Sequence, residues 1–374
     1  MTPQPATVVR RAPGKLFVVG EFAVVEAGTP AILVAVDRYV TVTVSGNAGA
    51  GVVISTDLGP SGVRWRWRDG RLHPCDDESP VGLTHVVSAI EVVGGLLAER
   101  GLAAPAMSVS VRSELHDNGT KFGLGSSGAV TVATVAAVTA FCGLELPADT
   151  RFRLAVLATV GIDVRASCGD LAASTWGGWL AYRSPDRAAV LDLLLRRGVE
   201  ETLRVPWPGF GVRRLPPPDG LSLEVGWTGT PAVTTARVAD LYQRPWRGGE
   251  SHRGFVATTT DCVRASVSAL ERGDHHALQD QIRRARRELT RLDDEVGLGI
   301  FTTGLTRLCE VAEAVGGAAK PSGAGGGDCG IALLAADAAR DICDVRGRWA
   351  EVGVRHLPIR PTVERNEDDQ PTQG

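Results

Sequence analysis

Lys121-Phe-Gly-Leu-Gly-Ser-Ser-Gly-Ala129, followed by Val130-Thr-Val-Ala-Thr-Val-Ala-Ala-Val-Thr-Ala-Phe141, is the stretch on which the fold turns. The small residues Gly123 to Gly128 form a loop that opens a helix. Free backbone N–H groups and the positive end of the helix dipole make such a junction an anion site. Ser126 and Ser127 add hydroxyls, one of which suits Mg²⁺ as a P-loop Ser/Thr does. The helix that follows is apolar on most sides, the mark of a buried helix. The loop also reads literally as G-x-G-x-x-G. A dinucleotide loop, however, follows its strand directly and has an acid on a second strand about 20 residues on. Here a polar run, Glu114 to Thr120, intervenes, and Glu145 has the spacing but follows the helix end. Neither G-x-x-x-x-G-K-[ST] nor H-R-D occurs.

Outward from this loop, alternating apolar segments (LFVVG, AILVAV, YVTVTV, MSVSVRS) predict strands on the N-terminal side. Helix patterns cover about residues 81–100 and 151–164. STWGGWLAYR, 174–183, reads as a turn into a strand. Proline-rich sequence from Pro206 to Pro218 predicts the domain boundary. Beyond it, LSLEVGWTG reads as the first strand of a new domain, with helices over 232–243, 251–272 and 274–292, and a final apolar strand CGIALLA. The expectation is a first domain over 1–205, a second over 206–360, and a polar, disordered tail over 361–374.

The chain has 374 residues, ordinary globular composition and a net charge of −3, which argues against a nucleic-acid binder. No long apolar run predicts a membrane span. Seven cysteines without a C-x-x-C pair predict neither disulfides nor zinc, and fit a reducing cytoplasm. Of the 40 basic residues only Lys15, Lys121 and Lys320 are lysines, each in or beside a glycine-rich segment. A compact ammonium serves where a planar fork does not fit.

Two further segments suit phosphate. RAPGKLFVVGEF (11–22) sends Lys15 into an apolar strand, where it either projects into a cleft or snorkels from an edge. KPSGAGGGDCG (320–330) offers a backbone that wraps an anion or forms a flexible hairpin. Asp170, in ASCGDLAASTWGGWLAY (166–182), begins a helix and serves as an N-cap or an active-site acid. Arg283, Arg284, Arg286, Arg287 and Arg291 read first as a solvated helical face. The seven histidines have no metal-ligand spacing; His275 and His276 are adjacent.

Together PGKLFVVGEF, KFGLGSSGA, SCGDLAASTWGGW and KPSGAGGGDCG resemble, in order, the motifs of the galactokinase, homoserine, mevalonate and phosphomevalonate (GHMP) kinases. Within that superfamily the chain looks most like the phosphomevalonate kinases. Gly20-Glu21-Phe22 departs from the Gly-Glu-His of mevalonate kinases and galactokinases, and mevalonate kinase is the alternative. The resemblance implies a two-domain α+β fold. Its N-terminal nucleotide-binding domain would have a left-handed β-α-β unit, and its C-terminal domain would be ferredoxin-like. It implies ATP and Mg²⁺, with a small phosphorylated acceptor, and leaves the oligomeric state open. By position, Lys121, Gly123, Leu124, Gly125, Ser126, Ser127 and Gly128 would cradle ATP and Ser127 would ligate magnesium. Lys15 and Asp170 would be catalytic. Lys15, Ser174, Ser322 and Gly323 would bind substrate. Mevalonate kinases place a magnesium-holding Glu eleven residues before the Asp, where this chain has Thr159.

Overall fold

The computed structural model describes residues 7–57, 59, 61–76, 82–232, 240–241 and 244–362. Strand β1, Thr7–Val19, pairs antiparallel with β2, Pro30–Gly46. Pro13 has no N–H for a ladder, and the register shifts between Pro13 and Gly14, bending the strand just before Lys15. Next come β3 (Val52–Thr56), β4 (Val63–Arg68), β5 (Arg71–Pro74) and the helix Thr84–Glu99. After β6 (Met107–Ser113), the residue pairs β7 (His116–Asp117) and β8 (Thr120–Lys121) form a small hairpin. It delivers the chain into the glycine loop and the helix Ser126–Phe141.

Helices Ala148–Val160 and Gly169–Trp176, strand β9 (Trp179–Arg183), the helical segment Arg187–Arg204 and strand β10 (Gly211–Leu215) complete this half. The eight strands make one sheet in the order β10-β9-β2-β6-β3-β4-β5, with β1 on β2. The Ser126–Phe141 helix is buried on nearly every side, as its composition predicts.

The second half holds β11 (Leu221–Trp227), then helices Glu250–Arg272, His275–Val296 and Thr303–Glu313. Strands β12 (Ala318–Pro321) and β13 (Cys329–Ala335), helix Ala339–Glu351 and β14 (Arg355–Leu357) follow. Their antiparallel sheet has the order β12-β13-β11-β14, the 4-1-3-2 pattern of a ferredoxin-like unit read from its other edge.

Two boundaries differ from expectation. Strand β10 pairs with β9, so the chain changes sheets at Pro216–Pro218 rather than at Pro206. The earlier prolines lie in a loop anchored by Phe210, whose ring stacks on Phe152 at 5.1 Å. At the other end, Pro361 bridges to Val36 and Thr362 N–H donates to Ala35, so these two residues belong to the first sheet's surround. The tail expected from 361 otherwise lies outside the described residues, as does most of the helix expected at 232–243.

Candidate active site

The glycine loop, the Lys320–Gly330 segment and the Asp170 helix converge on β1, which carries most of the Arg11–Phe22 segment. Gly125 sits at φ 76°, the left-handed turn from which the Ser126–Phe141 helix starts. A Cβ there would lie 2.9 Å from Lys15 Cε and 3.3 Å from Asp170 Cβ. One at Gly128, in the helix's first turn, would lie 2.6 Å from Asp170 Cγ. Lys15, the glycine loop and Asp170 are thus mutual neighbours.

Lys15 is only 8% exposed. Its backbone N–H donates to Leu124 O at 2.8 Å, fixing strand to loop, and its Nζ lies 5.3 Å from the Phe17 ring centroid. Asp170 stands in the first turn of its helix, behind Cys168, a fully buried residue at φ 60°. Its Oδ1 accepts from Leu171 N–H at 3.0 Å. Asp170 and Lys15 flank the glycine loop without an ion pair between them.

Of the five non-glycine residues with left-handed backbone among the described residues, Asp69 and Asn118 lie in turns and three lie here. Phe22, Cys168 and Asp328, at φ 58°, 60° and 54°, each adjoin a site segment. Such conformations cost of order 1–3 kcal/mol apiece and collect where geometry is constrained by function.

The third segment is wedged into place. Gly326 N–H donates to Ile300 O at 2.7 Å and Asp328 N–H to Thr230 O at 2.7 Å. A Cβ on Gly327 would stand 2.3 Å from Thr230 O, so glycine is required for the approach.

Ser322 Oγ accepts from Phe17 N–H at 2.9 Å and donates to Phe17 O at 3.0 Å. Its proton is therefore committed to the strand that carries Lys15. Gly323 follows at φ 90°, its N–H 3.4 Å from Glu21 Oε1.

Lys320 is not a phosphate ligand in this arrangement. It is fully buried, ion-paired with Glu21 and donates to Pro321 O at 2.7 Å. Ser174 is likewise turned inward. It is 1% exposed and its hydroxyl donates to Pro13 O at 2.7 Å. Its role here is to hold the bend of β1 ahead of Lys15.

Lys121 is exposed on the β7–β8 hairpin, opposite His116. The hairpin is tied to the second sheet by Arg355, which donates to Asp117 at 2.6 Å and lies 4.8 Å from the Trp227 ring.

Sequence reading missed His85, which begins the Thr84–Glu99 helix. Its Nδ1 lies 3.5 Å from Thr131 Oγ1, and that hydroxyl donates to Ser127 O at 2.8 Å. Burial lowers the His85 pKa, Asp170 opposes the shift and Lys121 adds to it, so the ring is neutral beside the loop. A lone histidine near a helix start carries no sequence signal of this neighbourhood. Glu21 was missed for a similar reason: its partner is 299 residues away.

The model described as GHMP kinases N terminal domain matches residues 85–178, and that described as GHMP kinases C terminal matches residues 266–350. A phosphomevalonate kinase of Streptomyces sp. (strain CL190) is 65% identical over 97% of this chain and 100% of its own. The chain is a GHMP kinase. It is also similar to a mevalonate kinase of Archaeoglobus fulgidus, at 29% identity over 87% of this chain and 92% of that one. Among solved structures, it superposes on Streptococcus pneumoniae phosphomevalonate kinase in complex with phosphomevalonate and AMPPNP. The TM-score is 0.81 at 27% identity, covering 95% of this chain and 100% of the other. In this GHMP kinase the segments that converge are those of the four quoted motifs. Ser174 and Lys320 are engaged within the protein, by Pro13 O and by Glu21.

Proposed function

We propose that this GHMP kinase transfers the γ-phosphoryl group of ATP to 5-phosphomevalonate, giving 5-diphosphomevalonate and ADP. The observation that carries it is the 65% identity to a phosphomevalonate kinase over essentially the full length of both chains. The convergence of Lys15 and Asp170 on the glycine loop supports it.

Phosphoryl transfer asks a protein chiefly for positioning and charge neutralisation. In our reading Gly123 to Gly128 hold the triphosphate with backbone N–H groups, and Lys121 approaches the nucleotide from the hairpin. The acceptor is a monoester phosphate whose second pKa lies near ~6, so it arrives largely dianionic at pH 7. No base is needed to strip a proton from it. Lys15 therefore stands between two polyanions and offsets their repulsion. Asp170, across Gly125 from Lys15, orients the phosphate assembly. Gly323 borders the acceptor side, with Ser322 holding that loop to Phe17.

Among the described residues no cluster of three acidic, histidine or cysteine side chains forms a ready metal cage. The Thr159 hydroxyl, at the position where the resemblance places a Glu, is buried without a hydrogen-bond partner. A small donor set of this kind fits Mg²⁺, which keeps several waters and leans on substrate phosphates. Ser127 and Asp170 would hold it with the nucleotide. When bound, the ion supplies charge neutralisation at the β- and γ-phosphates. A reducing cytoplasm as the place of action agrees with the seven unpaired thiols.

The test is turnover of mevalonate and phosphomevalonate side by side with ATP–Mg²⁺. Diphosphate product from phosphomevalonate, with mevalonate untouched, is expected. Monophosphate formed from mevalonate at a comparable rate overturns the assignment.

A further inference from the structure

We propose that Asp328 is a positioning residue that sets where the nucleotide loop lies. Between Ser322 and Cys329 five residues have positive φ: Gly323, Gly325, Gly326, Gly327 and Asp328. Glycine takes such angles at no steric cost. Asp328, at φ 54°, keeps a side chain where a fifth glycine would suit the backbone better. A strained residue of this kind persists because its surroundings hold it, and it points to a task for its side chain.

On one side Asp328 is clamped to the chain that leaves β11. Its Oδ1 accepts from Ala232 N–H at 2.9 Å, and its own N–H donates to Thr230 O at 2.7 Å. Its carbonyl oxygen accepts from Thr228 N–H at 3.0 Å and from the Thr228 hydroxyl at 3.2 Å. On the other side its side chain lies across Gly123, the first residue of the nucleotide loop. A Cβ on Gly123 would stand 2.4 Å from Asp328 Cβ, 2.4 Å from its Cγ and 2.6 Å from its Oδ2. Non-bonded carbons settle at about 3.5–4.0 Å, so the space beside Gly123 already belongs to the carboxylate.

The neighbouring residues repeat the link. Cys329 Sγ donates to Phe122 O at 3.0 Å, and the Phe122 ring meets the Trp227 ring edge-on at 5.3 Å. Leu124 O accepts from Lys15 N–H at 2.8 Å. The loop is thus gripped at Phe122 and Gly123 by the second half and at Leu124 by β1. A backbone anion site works only while its N–H groups point at the anion. Asp328 keeps Gly123 from settling toward β13, and so aims the loop that follows. It acts through the loop rather than on a reactant. This proposal rests on the reading that Gly123 to Gly128 hold the triphosphate, and not on which acceptor is used.

The test is calorimetric titration of the full chain with AMPPNP–Mg²⁺, without acceptor, beside thermal unfolding. A wrong acceptor assignment leaves this readout untouched. Asp328→Gly relieves the backbone and removes the side chain. It is expected to melt within a few degrees of the parent and to bind AMPPNP at least tenfold more weakly. Asp328→Asn keeps the size, an oxygen for Ala232 N–H and tolerance of left-handed backbone, so its affinity should stay within about threefold. Gly123→Ala should weaken binding at least tenfold in the parent, but less than threefold further beside Asp328→Gly, where the space is free. Asp328→Ser keeps an oxygen near Ala232 without the reach over Gly123, and gives the same weakening should the glycine variant not fold. Parental affinity in Asp328→Gly or Asp328→Ser overturns the proposal. So does Asp328→Asn as weak as Asp328→Gly, which would make the charge and not the fit responsible. Penalties at positions 123 and 328 that simply multiply also overturn it.

Discussion

Replacing Gly125 by alanine tests the geometry at its tightest point. The new methyl would lie 2.9 Å from Lys15 Cε, 3.1 Å from Lys15 Cγ and 3.3 Å from Asp170 Cβ. Non-bonded carbons settle at about 3.5–4.0 Å. The Lys15 chain must therefore retreat by roughly 0.5–1 Å, and it is too buried to swing freely. A misplacement of about 1 Å at a reacting centre costs on the order of 10² in rate, or ~2.7 kcal/mol of barrier. Separately, φ of 76° is left-handed, so alanine adds about 1–2 kcal/mol of strain to the folded state. The expected result is a fold that persists with a melting temperature lowered by a few degrees, and a kcat about a hundredfold lower. Steady-state kinetics beside thermal unfolding reads both. A double-mutant cycle with Lys15→Met isolates the cause, because Gly125→Ala should add little once the ammonium is gone. Losses that multiply in the double variant, or a single variant with kcat within threefold of the parent, would refute the placement of Lys15 at the reacting phosphates.

Lys15→Met alone should lower kcat by about 10²–10³, the scale of one lost donor in a dry site; a smaller effect on kcat than on KM removes it from the transition state. Asp170→Asn should leave the pH profile flat above the acceptor's second pKa, and a single ionisation lost from the wild-type profile in this variant would make Asp170 a base after all. Ser174→Ala strands the Pro13 carbonyl and should cost about 1–3 kcal/mol of stability with the KM for phosphorylated acceptor unchanged; a tenfold rise in KM would restore the direct substrate contact. The depressed pKa of His85 predicts a pH effect of definite sign. Below its ordinary value near 6.5 the unfolded chain binds the proton more readily, so stability falls as pH drops through that value toward the lower folded pKa. His85→Gln should flatten this part of the melting profile between about pH 7 and 5, and an unaltered slope would show that the ring is not buried neutral.

Much of this was legible in the chain. Loop and helix at Gly123 to Phe141 were set by small residues followed by an apolar run, a purely local signal. The strand at Lys15 and the helix at Asp170 were local too. What escaped was the destination of each side chain. Lys320 and Ser322 lie in a phosphate-like segment, but a glycine-rich pattern does not say which atoms meet a partner far away in sequence. The Glu21 carboxylate and the Phe17 backbone took them. Ser174 was expected at the substrate; its hydroxyl donates to Pro13 O, a contact spanning 161 residues. Within the expected Pro206–Pro218 stretch the change of sheet comes at the far end, because prolines mark breaks in regular structure, not changes of sheet, and Phe210 carries the chain back onto the first sheet.

The seam between the two halves, buried at Glu21–Lys320 and Ser322–Phe17 and exposed at Arg355–Asp117, bears on how reactants enter. Glu21 with Lys320, Ser322 with Phe17, and Arg355 with Asp117 join the halves at three places around the cleft. Breaking a buried ion pair alone costs about 3–5 kcal/mol, so parting the halves at Glu21 and Lys320 would be costly. An opening that kept this pair and the Ser322–Phe17 bonds intact would leave the floor of the cleft fastened while its rim yielded.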